Sequence, residues 1–145
     1  MNKVMVCINF AKGTDDVVEK SIDLAAKNGA ELHMLHVAPQ RNLIPNHVTG
    51  KRSFPEIARR LCKCNNRFED LSLKIKAKGI KLVTKQLRGD AAKEIINYAK
   101  NETVDIVVMG AQKSSAIRHL IGGSVAAKVM NKLSLPVFLV PNKAK

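Results

Sequence analysis

Residues 107 to 130, "VVMGAQKSSAIRHLIGGSVAAKVM", hold the densest set of groups in the chain that could do chemistry. Gly110 closes an apolar run, where the lack of a side chain lets a ligand approach the backbone and permits unusual torsions. Gly122, Gly123 and Ser124 open a second apolar pattern, and the free N–H groups at a helix start attract phosphate. Ser124 adds a hydroxyl that can cap the helix or donate to a ligand. Between the glycines stand Lys113, Ser114, Ser115, Arg118 and His119, and no acidic residue occurs after Asp105. Such a set suits an anion, most simply a polyphosphate. The plainer reading of the same residues is a glycine turn and a helix cap joined by a solvated basic loop.

Other candidate chemistry is weaker. Cys62 and Cys64 are two apart in a helical pattern, where side chains diverge by about 200°. They read as structural or incidental thiols. His33, His36, His47 and His119 have no ligand spacing, although His33 shares a strand side with Glu31. No metal site is expected. Ser124 and His119 lie outside any G-x-S-x-G elbow, so no catalytic pair is assigned to them. Arg88-Gly89-Asp90 reads as a turn whose Asp caps the next helix.

The elements that must position the glycines follow from hydrophobic patterning. Residues 3–10 and 104–110 are continuous apolar runs, as in strands buried on both faces. Residues 31–37 form another strand, and 136–141 a short apolar one between Pro136 and Pro141. At 80–87, Ile80, Leu82 and Thr84 alternate with Lys81 and Lys85, which suits a sheet edge. A helix is expected over 13–28, with Asp15 and Asp16 at its positive end and Gly29 as its C-terminal cap. Ile57, Leu61, Cys64, Phe68, Leu71 and Ile75 repeat at alternating four and three spacings, which predicts a second helix over 55–78. Shorter helices follow Asp90 and span 123–133, the latter with Val125, Val129, Met130 and Leu133 on one side. Residues 38–54 show no period and read as a lid or interface loop.

Strands alternating with helices predict an α/β fold: one domain with an open, five-stranded parallel sheet and helices on both faces. Right-handed crossovers with the two fully apolar strands in the centre give the order 3-2-1-4-5. Strands 1 and 4 then meet where the winding reverses, and ligands bind such sheets outside the carboxyl ends at that point. Asn9, Phe10, Met109 and Gly110 line it. The last strand, at the opposite edge, is wholly apolar, and pairing with a second copy would cover it. A homodimer built partly on 136–141 is expected.

Composition sets the partners. Among 145 residues, 25 Lys and Arg face 12 Asp and Glu, a formal charge of +13. That excess favours anionic partners, nucleic acid among them, but the absence of Trp and an aromatic content of 3% leave no stacking platform for single strands. No apolar run approaches the ~18 residues of a membrane span. With three cysteines and no cleavage-site pattern after the first apolar run, a cytoplasmic location is expected.

The interval from Gly110 to Ser124 matches neither the Walker loop nor G-x-G-x-x-G. It resembles the G-x2-G-x9-G-[ST] motif of the universal stress protein family, with Gly110, Lys113 in place of the second glycine, Gly123 and Ser124. The resemblance spans essentially the whole chain, including "LHV" at the end of strand 2, "RGDAAKEIINYAKNETVDIVVMG" and the terminal "LPVFLVP". It implies a Rossmann-like, adenine nucleotide alpha hydrolase-like fold and a regulator binding ATP, ADP or AMP. The implied contacts are Asn9 to the nucleoside, the Val37 backbone to adenine, and Met109, Gly110, Gly123, Ser124 and Val125 around phosphate and ribose. Asn9 replaces the family's usual aspartate and lacks its charge, while Lys113 could clasp a phosphate or block its place. Magnesium would accompany the phosphates, although no carboxylate here would obviously hold it. At most slow hydrolysis is implied, since Asn9 cannot act as a general base. The alternatives are a member that binds no nucleotide and works as an interaction module, or a basic protein associated with nucleic acid.

Overall fold

The computed structural model describes residues 1–10, 13–38, 54–111 and 125–141, with backbone alone at 54–58, 60 and 61. The elements run β1 (Lys3–Ile8), α1 (Thr14–Asn28), β2 (Glu31–Ala38), α2 (Phe54–Ala77), β3 (Leu82–Arg88), α3 (Ala91–Asn101), β4 (Ile106–Ala111), α4 (Val125–Lys132) and β5 (Val137–Pro141). All neighbouring strands pair in parallel, in the order β3-β2-β1-β4-β5. This is the expected order, with the reversal between β1 and β4.

Period-two side-chain alternation divides the buried residues into two clusters, one on each face of the sheet. Val4, Val6 and Ile8 of β1 and Leu32 and Met34 of β2 pack with Val18, Ile22, Phe68, Leu71 and Ile75 of α1 and α2. Met5 and Leu35 instead join Ile95, Ile96, Val107, Val129 and Leu133, on the side of α3 and α4. The central strands are apolar throughout because both of their faces are covered.

Local signals act where the sequence places them. Gly29 adopts φ 60° and its N–H bonds back to the last turn of α1. Asp90 accepts from the Lys93 N–H at 3.0 Å and starts α3. Some details differ from expectation, β3 starting at Leu82 and not at residue 80 among them. β1 stops at Ile8, leaving Asn9 and Phe10 beyond the strand, because Phe10 turns to φ 58°, outside the extended region. At α4, Val129 and the following Leu133 are buried, but Val125 and Met130 are 37% and 46% exposed, so the expected four-residue stripe is split.

Polar ties fix the end of the sheet opposite the carboxyl ends. His33 is 2% exposed and contacts Tyr98 Oη at 2.9 Å through Nδ1 and Glu31 Oε1 at 2.6 Å through Nε2. A carboxylate can only accept, so Nε2–H donates to Glu31, while Nδ1 meets the Tyr98 hydroxyl. Glu31 Oε2 pairs with Lys81 at 2.7 Å. The backbone N–H groups of Asn2 and Lys3 donate to Asp105 Oδ2 at 2.7 and 2.9 Å.

Donation from Lys3, then from Asn2, holds the Asp105 carboxyl below its ordinary range. A depressed carboxylate stabilises the fold above its unfolded pKa, about 3.9, and that contribution is lost as pH falls through the folded value. Asp105→Asn is therefore expected to lower the urea midpoint at pH 7, with the gap to wild type narrowing towards pH 3. A gap that stays constant across that range would show that the charge contributes nothing.

Candidate functional site

At the carboxyl ends, β1 hands over to a short connection, and α1 starts on Gly13, which has φ 92° and offers no side-chain cap. The N–H groups of the first turn of α1 thus receive no cap from residue 13. Asn9 is exposed beside this turn, and Gly110 is exposed near the end of β4. A Cβ built on Gly110 would lie 3.3 Å from Val17 Cγ2. The glycine therefore lets the start of α1 close against β4, in addition to leaving its backbone open.

The other expected site residues sort by depth. Met109 is buried in the cluster on the side of α3 and α4, and Val37 packs against it, so each can offer a ligand its backbone. Val125 begins α4 at the same end of the sheet. Lys113, Gly123 and Ser124 lie outside the described residues, as does most of the expected 38–54 loop.

One cluster beside Asn9 went unread in the sequence. The Phe10 ring meets His36 edge-on, with centroids 4.5 Å apart, and the Arg67 guanidinium sits 5.9 Å from its centroid. His36 Nδ1–H donates to the Ile8 carbonyl at 2.9 Å, and Arg67 Nη1–H to the Phe10 carbonyl at 3.3 Å. A bulky residue at positive φ costs about 1–3 kcal/mol, and these contacts hold it there. Arg67 falls next to the apolar stripe of α2 and contacts a residue 57 positions away, so no local pattern pointed to it.

Desolvation pushes the Cys7 thiol up to about 12, leaving it protonated and unreactive behind Asn9. Among the described residues, no group of three His, Cys, Asp or Glu could hold a metal ion.

A match to known proteins agrees with this geometry: the sequence profile of the Universal stress protein family covers residues 1–141. The chain belongs to the universal stress protein family. Universal stress protein YxiE of Bacillus subtilis is 30% identical over 147 residues, spanning 96% of this chain and 98% of that protein. A universal stress protein solved in complex with cAMP superposes with a TM-score of 0.73 at 18% identity, covering 98% of each chain. The universal stress protein from Archaeoglobus fulgidus in complex with dAMP gives 0.67 at 18% identity, over 96% of this chain and 97% of that one. At such identities the structures share the family's α/β fold with this chain.

Proposed function

We propose that this universal stress protein is a cytoplasmic regulator that binds ATP, or a related adenine nucleotide, at the reversal between β1 and β4. The observation that carries the reading is the exposure of Asn9 and Gly110 beside the start of α1, whose N-cap supplies no side-chain bond. Relatives of the same fold were solved with cAMP and dAMP, which supports adenine nucleotides as the class. Asn9 would bond the nucleoside, the Val37 backbone the base, and the backbone at Met109 and Gly110 would follow ribose and phosphates with Val125. Gly123, Ser124 and Lys113 would complete the phosphate contacts. The proposed nucleotide contacts include no carboxylate; the carboxylates at this end of the sheet include Asp15 and Asp16, in the first turn of α1.

Calorimetric titration with ATP, with and without magnesium, tests the reading, which predicts saturable binding below millimolar concentration. No heat at millimolar ATP would overturn it and favour the interaction module. Tight association with random duplex DNA, falling steeply with salt, would favour the nucleic-acid reading instead.

The dimer belongs to the same proposal. Phe138 and Leu139 are 44% and 36% exposed, and as consecutive strand residues they present apolar side chains on opposite faces of the edge. The Pro136 carbonyl accepts from Val107, so the backbone groups of Val137 and Leu139 point away from the sheet, open to a second copy. Sedimentation at micromolar concentration is expected to show twice the 15.9 kDa chain mass, and Leu139→Lys to shift it to the monomer. A wild type that stays monomeric would rule out the interface.

A further inference from the structure

The other edge of the sheet has a different character. Residues 76–88 hold five basic residues, Lys76, Lys78, Lys81, Lys85 and Arg88, and no acidic one. Lys81 is paired with Glu31, while Lys76, Lys78, Lys85 and Arg88 form no salt bridge among the described residues. Acidic residues resume at Asp90 and Glu94, so the cationic stretch is bounded.

Among the described residues, no strand pairs with the outer side of β3. The Lys81 carbonyl accepts from Leu32, and Gly89 N–H donates to Ala38, so odd-numbered residues turn their backbone groups towards β2. The register runs without a bulge from Leu82 to Arg88. Residues 82, 84, 86 and 88 therefore direct an N–H and a C=O outwards, four donors and four acceptors on one line. Thr84, Lys85 and Gln86 are consecutive and exposed. Lys85 and Arg88 lie on opposite faces of the strand, so cations flank the open line on both sides.

We infer that the β3 edge docks an extended acidic segment of a partner protein, which adds a strand to the sheet and sets carboxylates against Lys85 and Arg88. Edge lysines repel a second copy of the same edge, because cation would meet cation, but they attract a strand of opposite charge. The same residues thus block self-association and select a partner. Strand addition draws its affinity from main-chain bonds and its specificity from alternate side chains, and β3 supplies both. Duplex DNA would use the charge alone and leave the open donors and acceptors unused. The proposal is independent of nucleotide binding.

The test uses the full chain and a fluorescein-labelled decapeptide of alternating glutamate and valine, followed by fluorescence anisotropy. Saturable binding is expected, and the double variant Lys85→Glu/Arg88→Glu should weaken it at least tenfold. A Lys-Val decapeptide should not bind. The decisive probe is the Glu-Val peptide N-methylated at alternate residues, which keeps its charge but cannot pair with the edge. It should bind at least tenfold more weakly. Thr84→Pro, which removes an outward N–H that takes no part in the sheet's own ladder, should do the same. Equal binding of the methylated and unmethylated peptides would overturn the proposal, because charge alone would then be responsible. Duplex DNA of equal charge binding more tightly than the peptide, with the same sensitivity to the charge-reversing variant, would overturn it in favour of nucleic acid.

Discussion

Gly110→Val is expected to raise the dissociation constant for ATP at least tenfold, a loss of about 1.4 kcal/mol or more. A side chain at 110 would be aimed at Val17 Cγ2, 3.3 Å from the new Cβ, and not at open solvent. Valine adds two further methyl groups in a space already occupied, so α1 must move outwards from β4 at its first turns. Overpacking of this kind costs about 1–3 kcal/mol of stability, within what a domain of this size can bear. The displaced segment is the helix start beside Asn9 and Gly110, where the ligand is proposed to lie. The damage to binding therefore travels through the helix, and it can be separated from a direct block of the ligand. In the double variant Gly110→Val/Val17→Ala the added bulk is partly accommodated, and stability and affinity should recover together. Paired denaturant melts and calorimetric titrations read both quantities. Affinity that stays at the single-variant level while stability recovers would show that α1 is not the route.

The sheet order was readable because burial on both faces leaves a signature. The unbroken apolar runs of β1 and β4 could only be central, and the lysines of β3 could only be tolerated at an edge. Gly29, Asp90 and the Phe68-Leu71-Ile75 stripe were legible for the same reason: each acts within one or two turns of itself. The Phe10, His36 and Arg67 cluster was not, because it joins three elements and its cause is a backbone torsion at Phe10 that no periodicity encodes. Gly110 was read for ligand approach, yet its nearest constraint is Val17, a contact only the packing of α1 creates. At α4, Val125, Val129, Met130 and Leu133 gave a plausible stripe. Val129 and Leu133 do turn inwards, with Ala126 packed against the same cluster, but Val125 and Met130 are exposed. An interface between copies and a core draw on the same apolar residues, so a single sequence cannot tell one from the other.

His33→Ala is expected to remove about 3 kcal/mol or more of folding stability at pH 7, the sum of a cavity and two lost polar contacts. From the sequence, His33 and Glu31 were only a pair on one side of a strand. In the fold His33 is enclosed between β2 and α3, with both ring nitrogens committed to Tyr98 and Glu31. Alanine leaves the Tyr98 hydroxyl without its His33 partner and takes one donor from Glu31. Tyr98→Phe loses a single neutral hydrogen bond and should cost about 1 kcal/mol, which separates the cavity from the bonding. The pH dependence adds a second readout. Bonding to Lys81, and then to His33, holds the Glu31 carboxyl below its ordinary range. A depressed carboxylate stabilises the folded state above its unfolded pKa, about 4.3, and loses that contribution as pH falls through the folded value. Without His33, the folded value moves back towards the ordinary one, so acidification from pH 5 to pH 3 should remove less stability from the variant than from wild type. Urea midpoints at pH 7, 5 and 3 measure both effects. A loss at pH 7 below that of Tyr98→Phe, or an acid limb as steep as that of wild type, would show that the imidazole fills space without carrying the network.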